Sequence, residues 1–496
     1  MEQYILSIDQ STSGTKAVLF DRQGKLVHRC TAEHRQYYPN PGWVEHDAEE
    51  LYARTLQVIG DVLKESNTAQ DQISALAITN QRETAVVWDK TTGKPVHNAV
   101  VWQCQRGSAI CREYIEKGYG GIVKAKTGLV LDPYFSASKI KWILDNVEGA
   151  RQRANSGKLL LGTIDSWLVW KLTGGKVHVT DYSNACRTML FNIFKLEWDK
   201  DLMEIFGIPG SMFPEVRSSN EVVGYTDPGQ GFGRKIPIAG IMGDSHAALF
   251  GHNCFCKGMA KATYGTGSSI MMNIGEQPKE SGRGIVTSLA WGLDGKVEYV
   301  LEGNIHCTGA TIKWMVDDLG LIPDSRSAGK IAASVENSGG VYFVPAFVGL
   351  GAPYWDSEAR ATITGISRGT GKAHIVRAAE ESIAYQIKDV IDLMISESGI
   401  KLKELRVDGG ASRDAFLMQF QADMLDVPVV RSKIEDLSAL GSAYTAGLAV
   451  GFWKTRDEIE KLRVTDCAFV SSISSEERNK LYQGWKKAVG RTLVKI

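Results

Sequence analysis

Apolar residues fall into short β-branched runs that stop at glycine or at small hydroxyl residues. Residues 236–243 are one such run. It ends at Gly243, Asp244 follows at once, and Ala247, Ala248, Leu249 and Phe250 read as the start of a helix. A carboxylate at the C-terminal tip of a buried strand sits where open α/β sheets place their ligands. Asp244 is therefore read as a catalytic base; the alternative is a helix N-cap. Near the N-terminus, a strand over 4–8 leads into the polar turn 9–16 and a second strand over 17–20. The backbone N–H groups and hydroxyls of such a hairpin can hold a phosphate. Asp9 at the strand tip can hold Mg²⁺, usually through water.

Taken alone, that turn would be an ordinary hairpin. Residues 259–272 repeat the pattern, with Gly265, Thr266, Gly267 and Ser268 between two strands. A third loop, at 405–412, runs from a strand into Gly409 and Gly410 and then a helix over 416–425. Glycine lets a nucleotide approach the backbone, and a helix N-terminus favours phosphate. None of the three is a Gly-x4-Gly-Lys-Ser/Thr loop. Two similar α/β units are expected, with domains at 1–250 and 251–496 facing one another across a cleft.

The remaining pattern supplies candidate substrate contacts. Strands over 75–79 and 85–88 flank Arg82 and Glu83. Together these could donate to and accept from hydroxyls, or form a surface ion pair of little worth. Trp102 is either core or an apolar wall. Tyr134 precedes a helix with Ile140, Ile143, Leu144 and Val147 on one face. Residues 206–235 read mainly as loops, and 340–355 as a buried strand and Gly-rich turn. A long amphipathic helix is expected over 374–394. The run 439–450 suits close helix packing, and 476–496 reads as a charged, solvated terminal helix.

Composition narrows the class. The 496 residues include 57 Lys plus Arg and 57 Asp plus Glu, so no net charge draws the chain to nucleic acid or an anionic membrane. Eight scattered cysteines without a CxxC pair read as buried free thiols of a reducing cytoplasm. Cys254 and Cys256, in a probable strand, are poorly placed to pair. No signal peptide and no apolar run of about 18 residues is found.

Together the motifs resemble those of the FGGY carbohydrate kinases, and most closely of the members that act on glycerol. The resemblance rests on DQSTSGTKAVLFD at 9–21, GWVEHD at 42–47, TNQRET at 79–84, VVWQC at 100–104 and YFSASKIKWILDN at 134–146. It continues through TDYSNACRTMLFNI, ATYGTGSS, YFVPAFVGLGAPYWD and VDGGAS. It implies an α/β fold of two ribonuclease-H-like domains, of the actin/hexokinase/Hsp70 ATPase type, closing over a central cleft. It also implies ATP, Mg²⁺ and transfer of the γ-phosphoryl group to a terminal hydroxyl of a small-molecule polyol, in a homodimer or homotetramer. By resemblance Asp244 is the base, and Arg82, Glu83, Trp102, Tyr134 and Ser245 are polyol contacts. Asp9 is the Mg²⁺-linked acid. Thr12, Ser13, Gly14, Lys16, Thr266 and Gly267 are phosphate contacts. Gly309, Lys313, Gly410 and Asp414 lie around the adenosine.

Departures from the family pattern concern the acceptor and the base. Ser245 stands where glycerol-specific members have Gln, and Ser269 where they have Phe. Both changes imply a larger, more polar pocket, so a tetritol, pentitol or ketopentose is the alternative acceptor; His246 beside Ser245 could instead refill it. Ser11 replaces Gly and Lys16 replaces Arg in the first loop. Lys313 replaces Gln and Asp414 replaces Asn near the base. An actin- or Hsp70-like ATPase that moves a partner is the alternative of another class, and a polyol sensor without turnover a third; intact Asp9 and Asp244 argue against the sensor.

Overall fold

A computed structural model describes residues 2–282 and 284–494. The first half builds on β1 (Tyr4–Gln10), β2 (Gly14–Phe20) and β3 (Leu26–Glu33), an antiparallel meander. Helix α1 (Ala48–Glu65) follows, its first turn capped by the Asp47 carboxylate, and covers β2 and β3 with Leu51, Val58 and Val62. Strand β4 (Ile73–Asn80) then pairs parallel to β1. Helix α2 (Ser136–Asn146) stands in the insertion that follows. Strand β5 (Gly224–Tyr225) is a short edge, and β6 (Pro237–Gly243) pairs parallel to β4. The sheet order is β5-β6-β4-β1-β2-β3. Register sets Gln10 beside Asn80 and Asn80 beside Gly243, so three parallel strands end on one line. Asp244 begins α3 (Asp244–Gly251), one residue past that line.

The second half repeats the plan. Strands β7 (Met259–Tyr264) and β8 (Ser268–Gly275) form a hairpin, extended by β9 (Val286–Leu293) and β10 (Lys296–Ile305). After α4 (Gly309–Asp317) and α5 (Lys372–Ser398), β11 (Glu404–Asp408) pairs parallel to β7. Helix α6 (Ala415–Leu425), β12 (Val429–Ser432), α7 (Leu437–Ala449), β13 (Thr465–Phe469) and α8 (Ser475–Thr492) complete the chain. The order β9-β10-β8-β7-β11-β12-β13 again joins an antiparallel hairpin to parallel strands. As the periodicity predicts, Ile383, Ile387, Val390, Ile391 and Met394 of α5 are fully buried.

Helix α7 crosses to the first sheet, where Ser442 Oγ meets Ser7 Oγ at 2.8 Å. It also packs on α3 so tightly that a Cβ on Gly441 would lie 1.8 Å from the Ala247 carbonyl oxygen. One apolar core therefore spans both halves, with Ile5, Val18, Ala247, Met271 and Leu440 among its members.

Three expectations change. Residues 206–235 are largely loop but include the short strands Glu215–Arg217 and Gly224–Tyr225. Helix α8 is more than a solvated cover: Trp485 is fully buried and donates from Nε1 to Asp389 Oδ2 at 2.7 Å. Its predicted last two residues, Lys495 and Ile496, lie outside the described residues. Cys254 and Cys256 follow α3 in a turn rather than in a strand, and Cys256 is an exposed free thiol.

Candidate active site

The site begins where β6 ends. The N-cap position of α3 belongs to Gly243, whose extended backbone turns the chain into the helix. The Asp244 carboxylate accepts from its neighbour's amide, Ser245 N, at 2.6 Å. Its side chain is 38% exposed and Oδ1 lies 3.4 Å from Arg82 Nε. It is an open carboxylate beside a guanidinium rather than a capping group.

Arg82 and Glu83 are not the surface ion pair that the sequence left open as an alternative. Arg82 donates to both oxygens of Glu302, at 2.8 and 3.1 Å. Glu83 accepts from Arg187 Nε at 2.6 Å, and Arg187 Nη1 lies 2.9 Å from Glu302. The Arg82 and Glu83 side chains are only 5% and 2% exposed. Two arginines and two glutamates thus neutralise one another across the two halves. Burial pushes the Glu302 carboxyl up, but Arg187 and Arg82 together outweigh it and hold it well below the usual carboxylate range. The edge that Arg82 keeps toward the cleft is Nε. Glu83 sits at φ 61°, a left-handed conformation that costs about 1–3 kcal/mol for a non-glycine residue and persists where the surroundings enforce it.

Aromatic walls stand beside this cluster. Trp102 and Tyr134 meet edge to face, 5.6 Å between centroids. Trp102 Nε1 donates to Thr12 Oγ1 at 2.9 Å, tying the wall to the first polar loop. The buried Lys139 ammonium fixes the segment before α2 by donating to the carbonyls of Pro133, Tyr134 and Phe135. Ser245 is half-buried next to Asp244.

The first loop is closed by Ser11, whose amide and hydroxyl both donate to the Gly14 carbonyl at 2.9 Å. Gly14 itself lets β3 approach, since a Cβ there would lie 2.9 Å from the Ala32 oxygen. Thr12 and Ser13 form the tip. Asp9 is buried at the end of β1; burial pushes its carboxyl up to about 6, with Lys16 opposing and Asp244 adding to the rise. Lys16, read as a phosphate contact, is held by Asp436 from the second half at 2.9 Å, with Asp9 at 3.8 Å.

The second loop presents exposed Gly265 and Thr266. Gly309 starts α4 by donating to the Gly265 carbonyl at 3.0 Å, and Ala310 donates to that of Thr266. Gly267 and Gly309 have no room for a side chain, a Cβ falling 2.3 Å from the Ile305 oxygen and 2.7 Å from the Gly265 oxygen. In the third loop Gly409 takes φ 91° under the Tyr264 carbonyl, and Gly410 faces open space. The two other residues expected around the adenosine have partners within the chain. Lys313 is exposed and pairs with Asp317 one turn on. Asp414 caps α6 by accepting from Phe416 N and Leu417 N, since four donors at a helix start need partners.

Sequence reasoning missed Arg187, Glu302 and Asp436. An acid within the apolar run 299–303 of β10 was a signal for Glu302, because a charge in a buried stretch of strand requires a partner. Asp9 and Asp244 are hard oxygen donors at the tips of β1 and β6, on either side of β4, a set that suits Mg²⁺.

Two ribonuclease-H-like domains of repeated topology, each offering a polar loop to a shared cleft, make this an actin/hexokinase-like fold. The chain belongs to the FGGY family of carbohydrate kinases: the family's N-terminal domain matches residues 4–251 and its C-terminal domain residues 260–450. It is 55% identical over 489 residues to the glycerol kinases of Bacillus licheniformis and Bacillus subtilis, covering 99% of each chain and of this one. The structure of Plasmodium falciparum glycerol kinase with ADP superposes with a TM-score of 0.95 at 37% identity, covering 100% of this chain and 99% of that one. No helix among the described residues is long and apolar enough to cross a membrane.

Proposed function

We propose that this protein transfers the γ-phosphoryl group of ATP to a terminal hydroxyl of a small polyol, with Asp244 as the base. The observation that carries this reading is the open Asp244 carboxylate at the end of β6, beside Arg82 Nε and between two polar loops on separate sheets. Glycerol is the first acceptor to test, because the Bacillus relatives, 55% identical, are glycerol kinases.

An alcohol scarcely ionises near neutral pH, so its proton must leave as the bond to phosphorus forms. Asp244 Oδ accepts that proton. Arg82 Nε, 3.4 Å away, orients the carboxylate. Trp102 and Tyr134 line the acceptor, and Thr12 joins that wall to the loop that holds phosphate. Amides and hydroxyls of Thr12, Ser13, Thr266 and Gly267 bind the phosphate oxygens, with Gly309 and Gly410 beside the adenosine. Asp9 would hold Mg²⁺, which when bound would supply neutralisation of the phosphate charge. Closure of the two halves excludes water, the competing acceptor. The meeting of Trp102, Tyr134 and Arg82 beside Asp244 supports a kinase over an ATPase that moves a partner. The setting is cytoplasmic and the assembly a homodimer or homotetramer, which sedimentation of the purified chain tests.

Asp244→Asn is expected to lower phosphoryl transfer by about 10²–10⁴-fold, the usual worth of a general base. ADP affinity should be nearly unchanged. Turnover close to wild type would remove Asp244 from the role of base.

A further inference from the structure

The floor of the cleft carries a polar row that the phosphotransfer chemistry does not use. Register places Asp408 of β11 beside Thr263 of β7, Thr263 beside Ser269 of β8, and Ser269 beside Asn304 of β10. Paired residues on neighbouring strands share a face, so four adjacent strands present four polar side chains at one level. Thr263, Ser269 and Asp408 are half-buried and Asn304 is exposed.

One row below lies Lys261, 1% exposed. Its ammonium reaches up into the row, 3.1 Å from Thr263 Oγ1 and 3.5 Å from Ser269 Oγ. No carboxylate of the described residues forms an ion pair with it, although Asp408, Glu302 and Asp244 all act on its charge. An ammonium offers three donors, and these two hydroxyls leave one unused. His246, two residues past Asp244 and within the electrostatic reach of Lys261, has Nε2 buried without a partner.

A buried polar group lacking a hydrogen bond is costly, so a floor of this kind favours an occupant that brings oxygens. An acceptor of three carbons has two hydroxyls besides the reacting one, and a longer linear chain adds one per carbon. We propose that Thr263, Ser269 and Asn304, backed by Lys261, form an acceptor subsite for the distal hydroxyls of a linear, uncharged polyol of four or five carbons. This rests on the kinase reading above. Lys261 is a positioning residue: it donates to the Thr263 and Ser269 hydroxyls, the Thr263 hydroxyl donates in turn to the Asp408 carboxylate, and the Ser269 proton is left to donate to the acceptor.

The test is ATP- and Mg²⁺-dependent phosphorylation of glycerol, erythritol, threitol, xylitol and ribitol by the full chain, wild type against Ser269→Phe, Asn304→Leu and Lys261→Met. Wild type is expected to use a tetritol or pentitol with kcat/KM at least equal to that for glycerol. Ser269→Phe and Asn304→Leu should each lower the ratio of long-acceptor to glycerol kcat/KM by about 10-fold or more, the range for loss of a hydrogen-bonded substrate group. Lys261→Met should raise KM for the long acceptor more than it lowers kcat. If the long acceptors are used but neither Ser269→Phe nor Asn304→Leu moves the ratio, the subsite is overturned while the kinase reading stands. If wild type uses glycerol alone, the subsite is likewise overturned. If no polyol is phosphorylated, the kinase reading itself fails.

Discussion

Arg82 of the first domain and Glu302 of the second form a two-pronged ion pair, 2.8 and 3.1 Å, with both side chains almost out of water. The same arginine turns Nε toward Asp244. Closure of the domains and orientation of the base therefore share one side chain.

Glu302→Gln removes a buried charge and leaves two arginines facing Glu83 and the part-exposed Asp244. Breaking such a pair from one side costs about 3–5 kcal/mol. We expect a loss of that size in urea unfolding, together with a fall in kcat as Arg82 swings away from Asp244. Full stability in the variant would show that solvent reaches the cluster.

Asp436 is held by Lys16 at 2.9 Å and Arg29 at 2.7 Å, joining the strand after the first loop to the start of α7. Hydrogen bonds to charged groups contribute about 1.5–3 kcal/mol. Asp436→Asn should lower stability within that range and free Lys16 for phosphate. The readout is ADP affinity by calorimetry, which should change several-fold; an unchanged isotherm would separate Lys16 from the nucleotide.

Gly441→Ala forces a Cβ to within 1.8 Å of the Ala247 carbonyl oxygen. Overpacking costs about 1–3 kcal/mol, occasionally more, and this contact belongs at the upper end because both partners are backbone. Helix α3 must shift, and it carries Asp244 at its start. Thermal unfolding should show a lower Tm, and kinetics a larger loss in kcat than in KM.

Glu380 on α5 is 2% exposed, and its Oε2 has no hydrogen-bond partner. Burial, with Asp414 adding to it, pushes its carboxyl far above the usual carboxylate range. The folded chain keeps this proton while the unfolded chain releases it above the ordinary Glu value. The contribution of Glu380 to stability is therefore complete at low pH and declines as pH rises toward the folded value, by at most about 1.4 kcal/mol per pH unit. Glu380→Gln lacks this loss. The Tm of the variant minus that of wild type should grow from pH 5 to pH 8, and a constant difference would mean that Glu380 ionises in the native state.

Local chemistry made much of this protein legible from residues alone. The hairpins at Gln10–Gly14 and Tyr264–Ser268 were readable because short apolar strands and a small-residue turn lie within one stretch of chain. Helix α5 followed from its period, and the position of Asp244 from an apolar run that stops at Gly243. Residue types gave the Arg82 and Glu83 positions a polar role, yet not their partners. Glu302 is 220 positions from Arg82, and Asp436 is 420 from Lys16. Nothing near either arginine or lysine in the chain announces those acids.

The sequence by itself determined the strands, the turns and the identity of the open carboxylate, since these depend on interactions within a few residues. Only the tertiary structure decided which charges neutralise one another and which polar side chains share the cleft floor. Ion pairs and sheet registers are set by the packing of α7 on α3 and of the two sheets about one core. Those contacts come into being only when distant segments bury their apolar faces together.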